Sequence, residues 1–219
     1  MGFKTQRGFQ FTRSGDGTKY VSGKRPSFYI SEQGNPGPET FTIPTDDLEL
    51  YLNPSSYTSG TTITDSSGNN RTYDLKNGVT HNSTPARFTF DGTNDYLEAA
   101  SNYSITTNSA TFALWIKRSG SQANYSGLMF NRSGDTSGLN FYGTSNTINY
   151  HWNDSSATWS WNSGVLIPDN SWALAALAVS TTSVTAYLYT TSTTPTQASN
   201  TNSHADSTFQ NINIGRDPS

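Results

Sequence analysis

The stretch Arg87-Phe-Thr-Phe-Asp-Gly-Thr-Asn-Asp-Tyr-Leu-Glu98 decides the fold class. Phe88 and Phe90 alternate with polar neighbours, which is the period of a half-buried β-strand. The Asp-Gly and Asn-Asp pairs that follow are residue types that accept the left-handed backbone of a tight turn. Tyr96 and Leu97 then resume an extended, apolar run. The stretch therefore predicts a strand, a turn and a second strand.

Short apolar runs flank this stretch on both sides and are separated by Gly, Ser, Asn and Asp. Strands that recur at about ten-residue intervals between turn signals predict an antiparallel sandwich or barrel. The run Ala173–Val179 is predicted as a central strand that is buried on both faces. The Ser- and Thr-rich segment Thr190–Ser207 is predicted as a long surface loop. Further strands are predicted at Leu48–Leu52, Phe112–Ile116, Leu128–Phe130, Leu139–Tyr142, Ile148–Trp152, Val184–Tyr189 and Ile212–Ile214.

The composition excludes several classes of protein. Of the 219 residues, 13% are aromatic and only 13% are charged, which favours a packed core over disorder. A net charge of -3 provides no general attraction to nucleic acid or to membranes. The absence of cysteine excludes disulfides and thiolate metal sites. The first residues lack the apolar core of a signal peptide, and no apolar run is long enough to span a bilayer, so we expect synthesis in the cytoplasm.

Residues 1–45 differ from the remainder of the chain. They combine basic residues with aromatic residues, and a Gly-Asn-Pro-Gly-Pro segment at 34–38 interrupts any regular element. Such a segment is either a partly disordered basic tail or an extended arm that docks on a partner, and the aromatic residues favour the arm. The residues predicted to anchor the arm are Phe3, Arg7, Phe9, Phe11, Arg13, Tyr20, Lys24 and Arg25.

Taken in order, the predicted strands and turns resemble a laminin-G-like domain of the concanavalin A-like lectin/glucanase fold. The motifs that support this resemblance are Asp65-Ser-Ser-Gly68, Phe88–Tyr96, Phe112-Ala-Leu-Trp-Ile-Lys117, Trp172–Val179 and Ile212-Asn-Ile-Gly215. The resemblance covers about residues 47 to 216 and implies an all-β jelly-roll sandwich of two antiparallel sheets. The expected organisation is therefore an arm over residues 1–45 and a sandwich over residues 46–219.

The chain departs from the family pattern in two places. Family members add a last strand beside the first one, whereas this sequence ends at Ser219. We therefore expect Leu48–Leu52 to be an edge strand that the N-terminal arm or a neighbouring subunit covers by β-augmentation. Family members also place an Asn-Gly hairpin after Tyr189, where this chain has Thr190-Thr-Ser-Thr-Thr-Pro195.

An aromatic and amide-rich segment, Tyr150-His-Trp-Asn-Asp-Ser-Ser-Ala-Thr-Trp-Ser-Trp161, is the candidate recognition site. Indole faces stack on the apolar faces of sugars, while Asn and Asp bind hydroxyl groups. Alternation would place Trp159 and Trp161 on the same face, and both could equally pack between the sheets. The predicted glycan-binding residues are Tyr150, Trp152, Asn153, Asp154, Trp159 and Trp161.

No catalytic residues are predicted. Glucanases of this fold use closely spaced carboxylates, and the four glutamates of the chain are not arranged in that way. The three histidines are isolated, so no metal site and no cofactor are predicted. Asp91, Asn94 and Asp95 are oxygen donors of the kind that Ca²⁺ prefers, but the same residues suit a tight turn, and the turn is favoured.

The hypothesis from the sequence is a non-enzymatic structural protein of a tailed-bacteriophage virion. Its arm would anchor to capsid or tail proteins and its lectin-like sandwich would face outward, with a homo-oligomer and cell-surface polysaccharide as further partners. Nucleic acid and membrane insertion are not expected. Capsid decoration is favoured over tail-fibre adhesion because no long repeats are present. The alternative is a carbohydrate-binding module of a bacterial surface or secreted protein, and a hydrolase is the third choice.

Overall fold

A computed structural model describes residues 9–13, 46–191 and 194–218. For residues 9–13 the backbone alone is described. Among the residues predicted to anchor the arm, Phe9, Phe11 and Arg13 lie in a described strand. The remaining ones, Phe3, Arg7, Tyr20, Lys24 and Arg25, lie outside the described residues.

The described part of the chain is almost entirely β-structure. Its two helical elements are a 3₁₀ turn, Pro54–Ser56, and a single-turn helix α1, Ser156–Trp159, and both are too short to cross a bilayer. The strands of the first half are β1 (Phe9–Arg13), β2 (Leu48–Leu52), β3 (Thr62–Thr64), β4 (Thr72–Lys76), β5 (Thr80–Ser83), β6 (Ala86–Thr89), β7 (Tyr96–Ala99), β8 (Ile105–Thr107) and β9 (Ala110–Lys117). The strands of the second half are β10 (Gly127–Asn131), β11 (Ser133–Gly134), β12 (Ser137–Tyr142), β13 (Thr147–His151), β14 (Trp172–Val179), β15 (Ser183–Tyr189), β16 (Thr196–Thr201), β17 (Ser207–Gln210) and β18 (Asn213–Ile214).

Two large antiparallel sheets form a sandwich, so the predicted all-β jelly-roll class is confirmed. One sheet has seven strands in the order β13-β12-β10-β18-β7-β4-β3, and the other has six in the order β16-β15-β14-β9-β1-β2. A three-stranded sheet, β11-β17-β8, and the hairpin β5-β6 complete the described architecture. Apolar side chains from the inner faces of both large sheets form one core, which includes Leu97, Phe112, Leu139 and Leu177. Each strand of the seven-stranded sheet thereby has an inner face and an outer face.

The strand-turn-strand prediction for residues 87–98 is confirmed. Phe88 is buried in β6, and Leu97 is fully buried in β7. The two strands pair with different neighbours, because β6 joins β5 whereas β7 joins β4 and β18. The Asp91 carboxylate accepts hydrogen bonds from the backbone N–H groups of Thr93 at 2.8 Å and Asn94 at 3.2 Å. The Asp91 carboxylate therefore stabilises the turn between β6 of the hairpin and β7 of the seven-stranded sheet.

The prediction for Ala173–Val179 is confirmed, whereas the one for Thr190–Ser207 is wrong. Strand β14 lies between β9 and β15 and buries residues on both faces. Within the predicted loop, Thr196–Thr201 forms β16, which pairs along its whole length with β15. A polar strand is stable at this position because an edge strand needs backbone pairing on one side only and its side chains can stay in water.

The predicted open edge at Leu48–Leu52 is occupied on one side by the arm's own strand. Strand β1 lies between β2 and β9 and is antiparallel to both. On its other side, β2 is capped by the turn at residues 65–71. The Asp65 carboxylate accepts a hydrogen bond from the Tyr51 N–H at 2.6 Å, and the Asn69 amide donates to the Glu49 carbonyl at 3.0 Å. The side chains of this turn therefore satisfy backbone groups that an edge strand would leave unpaired.

Candidate functional site

Strand β13 directs alternate side chains to the two faces of the seven-stranded sheet, and all of them are buried. Ile148 and Tyr150 are fully buried in the core, and Trp152, directly after the strand, is 1% exposed. The side chains of Asn149 and His151 lie on the opposite, outer face of the seven-stranded sheet. Tyr150 and Trp152, which were predicted to bind a glycan, have their side chains between the sheets, where a ligand on the outer face does not reach them. Their polar atoms are also engaged, since the Tyr150 hydroxyl contacts His204 at 2.9 Å and the Trp152 indole N–H donates to the Ala205 carbonyl at 2.8 Å.

Trp159 and Trp161 lie in different environments. Trp159 ends helix α1, stacks on the His151 ring with the centroids 5.2 Å apart, and is 37% exposed. Trp161 packs against the core and meets the Tyr150 ring edge-on at 5.6 Å. The expectation that alternation places both on one face is wrong, because residues 156–159 are helical rather than extended. Trp159 is thus the predicted tryptophan that a ligand on the outer face can reach.

Asn153 and Asp154 form the turn that follows β13. Both have left-handed backbones, with φ of 46° and 52°. The Asn153 N–H donates to the Ser137 hydroxyl at 2.8 Å, and the Asp154 carboxylate accepts from the Thr136 N–H at 2.9 Å. Hydrogen bonds from Thr136 lower the pKa of Asp154. These contacts give both residues a turn-forming role.

A row of side chains crosses the outer face at His151. In the sheet register, Gly138 lies opposite both Phe130 of β10 and His151 of β13. Gly138 has no side chain, and the rings of Phe130 and His151 meet edge-on with their centroids 5.1 Å apart. Burial lowers the pKa of His151 to about 4, an effect that the Asp217 carboxylate opposes. The imidazole is therefore neutral at pH 7, with one donor and one acceptor nitrogen.

The next row contains two asparagines that face each other. Asn140 of β12 is the register partner of Asn149 of β13, and both are fully buried. Among the described residues, no hydrogen-bond partner is present for either amide atom of Asn140, for Asn149 Oδ1, or for either ring nitrogen of His151. Buried polar atoms in folded proteins are normally paired, because each unpaired one costs about 1–3 kcal/mol. We call Asn140, Asn149 and His151 the outer-face cluster.

A depression of about 290 Å³ opens above the outer-face cluster at the His151 end. Its lining residues are Tyr125, Arg132, His151, Trp159 and Asp217. Arg132 and Asp217 form a two-pronged ion pair across this depression, with both N–O distances at 2.5 Å. Asn149 is buried beneath Trp159, and its amide donates to the Trp159 carbonyl at 3.3 Å. An aromatic face, a neutral imidazole and an ion pair therefore line one concave surface, next to the buried amides of the cluster.

The other half of the same outer face bears charges. Asp74 of β4 is the register partner of Glu98 of β7, so the sheet brings together two carboxylates that the sequence does not show as a pair. Lys76 Nζ lies 2.7 Å from Asp74 Oδ2 and 3.8 Å from Glu98 Oε2. Arg216 lies 3.4 Å from the other oxygen of Glu98. Each carboxylate is thus neutralised by a cation, and each side chain is about one-third exposed.

The turn role predicted for Asp91 and Asp95 is confirmed. Backbone hydrogen bonds, chiefly from Thr93, lower the pKa of Asp91. Asp95 Oδ2 accepts a hydrogen bond from the Asp91 N–H at 2.9 Å. Within the described ranges, no group of three or more histidine, aspartate or glutamate side chains is arranged to hold a metal ion.

Sequence reasoning missed Asn140, Asn149, His151, Tyr125 and Arg132. For two of these the signal was present, because Thr147-Ile-Asn-Tyr-His-Trp152 alternates polar and apolar residues with period two. That pattern assigns Asn149 and His151 to one face and Tyr150 and Trp152 to the other.

One of three comparisons with known proteins gives a match, and it agrees with the fold. Neither the curated proteins nor the solved structures that were searched contain a match. The family model Laminin_G_3, described as the concanavalin A-like lectin/glucanases superfamily, matches residues 91–219. That match covers more than half of the chain and includes every residue of the outer-face cluster. The chain therefore belongs to the Laminin_G_3 family of the concanavalin A-like lectin/glucanases superfamily.

Proposed function

We propose that this protein is a non-enzymatic, lectin-like carbohydrate-binding protein whose ligand lies on the outer face of the seven-stranded sheet. The observation that supports this most strongly is the outer-face cluster, in which buried polar atoms lack partners beside an exposed indole. A ligand that supplies those partners would recover the cost of leaving the atoms unpaired.

Sugars match the chemistry of this surface. A pyranose has an apolar C–H face, which suits the exposed Trp159 ring, and hydroxyl groups that both donate and accept hydrogen bonds. Asn140 offers both a donor and an acceptor, Asn149 offers an acceptor, and neutral His151 offers one of each. The cluster has no net charge of its own, so it would bind neutral hydroxyl groups through hydrogen bonds rather than through ion pairs.

The charged half of the face supports a binding role over hydrolysis. Glycoside hydrolysis requires one carboxyl group that is kept protonated by an apolar environment and a second carboxylate held at a defined separation. Asp74 and Glu98 instead contact Lys76 and are about one-third exposed. We therefore propose that bound sugar is not cleaved.

We also propose that the protein is part of a bacteriophage virion, in which the arm anchors it to capsid or tail proteins. Strand β1 supports a firm connection between arm and sandwich, since it pairs on both sides within the six-stranded sheet. A homo-oligomer is expected, and light scattering on the full chain measures its mass in solution. A monomer at all concentrations would favour the alternative, a carbohydrate-binding module of a bacterial surface protein.

The test of carbohydrate binding is the variant Trp159→Ala on a glycan array. We expect affinity to fall by at least about tenfold, because losing about 1.4 kcal/mol of stacking corresponds to a factor of ten. The matched control is Trp115→Ala, which removes a half-buried indole from the outer face of the six-stranded sheet. Equal affinity in the Trp159→Ala variant and the unmodified protein, or equal losses in both variants, would contradict the proposed site.

A further inference from the structure

The segment Gly215–Pro218 lies against the outer face of the seven-stranded sheet. A Cβ atom built on Gly127 would collide with the backbone carbonyl of Arg216 and with the backbone nitrogen of Asp217. Gly127 is the register partner of Asn140 on the neighbouring strand, and paired residues direct their side chains to the same face. The segment therefore covers the face on which the Asn140 amide lies.

A single kind of polar contact holds the Asp217 side chain in this position. Among the described residues, its carboxylate is hydrogen-bonded to the Arg132 guanidinium alone, through Nε–Oδ1 and Nη2–Oδ2 distances of 2.5 Å. Arg216 is anchored separately, by Asn213 at 3.0 Å and by the Tyr96 ring, whose centroid lies 3.5 Å from its guanidinium carbon. Asp217 can thus leave Arg132 without disturbing the contacts of Arg216.

We propose that Arg132 is the carboxylate-recognition residue of the sugar site and that Asp217 occupies it until a hexuronate displaces it. This inference rests on the proposed carbohydrate-binding function and specifies its ligand as a sugar with a carboxylate group. A guanidinium presents two parallel N–H groups that match the two oxygens of a carboxylate, and Asp217 already makes that contact.

The position of Arg132 favours a sugar acid over an isolated anion. Arg132, His151 and Trp159 line the same depression, so a carboxylate on Arg132 places the ring to which it is attached beside the imidazole and the indole. The charge balance is preserved, because the ligand replaces one carboxylate by another and Asp217 moves into water. The Arg132 side chain is 36% exposed, so a ligand in the depression can reach its guanidinium.

Displacement would also uncover the rest of the site. When Asp217 leaves Arg132, its side chain no longer fills the wall of the depression next to His151. The unpaired ring nitrogens of His151 would then meet hydroxyl groups of the same sugar. The Gly215–Pro218 segment therefore acts as an internal competitor for acidic ligands.

The test measures binding of oligogalacturonates, oligoglucuronates and oligomannuronates to the full chain, each beside its methyl ester and beside neutral oligosaccharides. Three variants are compared with the unmodified protein: Asp217→Asn, Asp217→Ala and Arg132→Gln. The matched control, Asp169→Asn, removes the acid of the Arg118–Asp169 pair, whose atoms lie 3.4 Å apart. Thermal unfolding of each variant checks that it is folded.

We expect both Asp217 variants to bind at least one uronate about tenfold more tightly than the unmodified protein, because a competing charged hydrogen bond is removed. Arg132→Gln should abolish the preference for the acid over its ester, and Asp169→Asn should change neither. Equal binding of acid and ester by all variants, with neutral glycans still bound through Trp159, would overturn this inference and leave the proposed function intact. Absence of binding to every glycan would overturn both.

Discussion

The two halves of the outer face differ in how their polar groups are satisfied. On β4 and β7, Asp74, Lys76 and Glu98 are charged, partly exposed and paired with one another. On β12 and β13, Asn140 and Asn149 are uncharged and fully buried, and three of their four amide atoms have no partner among the described residues. The two halves belong to one sheet and share one backbone geometry.

The difference indicates where a ligand belongs. Exposed charges remain hydrated whether or not they form ion pairs, so the charged half is stable in water by itself and its pairs contribute little. A buried amide has lost its water, and without a partner it lowers the stability of the fold. The uncharged half is therefore destabilised in the absence of a ligand, a condition that is typical of functional sites.

The largest expected effect concerns the pH dependence contributed by His151. Its pKa is about 4 in the folded protein, against an ordinary value of 6.5. Below pH 6.5 the unfolded chain binds a proton at this position and the folded protein does not, so stability falls as the pH decreases from 6.5 to 4. The expected loss is about 3 kcal/mol, and it is complete near pH 4. Urea unfolding at several pH values measures it.

The variant His151→Phe provides the control for this prediction. Phenylalanine retains the ring contacts with Phe130 and Trp159 but has no titratable group. Between pH 6.5 and 4, the free energy of unfolding of this variant should fall by about 3 kcal/mol less than that of the unmodified protein. Identical pH profiles for the two proteins would mean that the His151 ring is hydrated, and the contrast between the two halves would then be lost.

A smaller effect is expected from Asn140→Leu. Leucine has nearly the shape of asparagine and removes both unpaired amide atoms, so the free energy of unfolding should rise by about 1–2 kcal/mol. Glycan affinity should fall at the same time, because the amide would no longer bind hydroxyl groups. Chemical denaturation and glycan titration of the same variant measure both quantities.

Asn131→Leu is the matched control for Asn140→Leu. Asn131 is also fully buried, but its amide donates to the Asp135 carbonyl at 2.6 Å and its oxygen accepts from the Gln210 N–H at 2.7 Å. The same substitution there should lower the free energy of unfolding by about 1–3 kcal/mol. Equal losses in the two variants would show that the Asn140 amide is paired.

The smallest effect is expected in the charged half. Glu98→Gln removes the charge that Lys76 and Arg216 contact, and both contacts are long and partly exposed. The melting temperature should change by at most about 2 °C, and glycan affinity should not change. Abolition of a glycan-cleaving activity by this substitution would instead identify Glu98 as catalytic and contradict the non-enzymatic proposal.

The sequence was sufficient to predict the fold class and several strands. Apolar alternation and turn residues identified the strands around Phe88 and Leu97, and the length of the apolar run identified β14. The polar edge strand β16 was missed, because backbone pairing to β15 stabilises it and that pairing leaves no apolar pattern in the sequence.

The sequence prediction and the proposed site share one exposed residue, Trp159. Tyr150 and Trp152 were grouped with it, although the alternation around His151 separates them from the outer face. The juxtaposition of Asn140 with Asn149 depends on the register between β12 and β13. The approach of Asp217 to Arg132 joins positions that are 85 residues apart. Neither contact follows from local sequence, because both are set by tertiary pairing.

The capped edge of β2 determines how copies of this protein could join through their six-stranded sheets. The turn at residues 65–71 closes one end of the six-stranded sheet, while β16 has a neighbour on one side only in the described part of the chain. A sheet with two open edges can add copies indefinitely and form a fibre. A sheet with one open edge can pair only with the same edge of a second copy. Growth by this route would stop at two copies related by a two-fold axis. The capped strand thus limits this route to a closed pair.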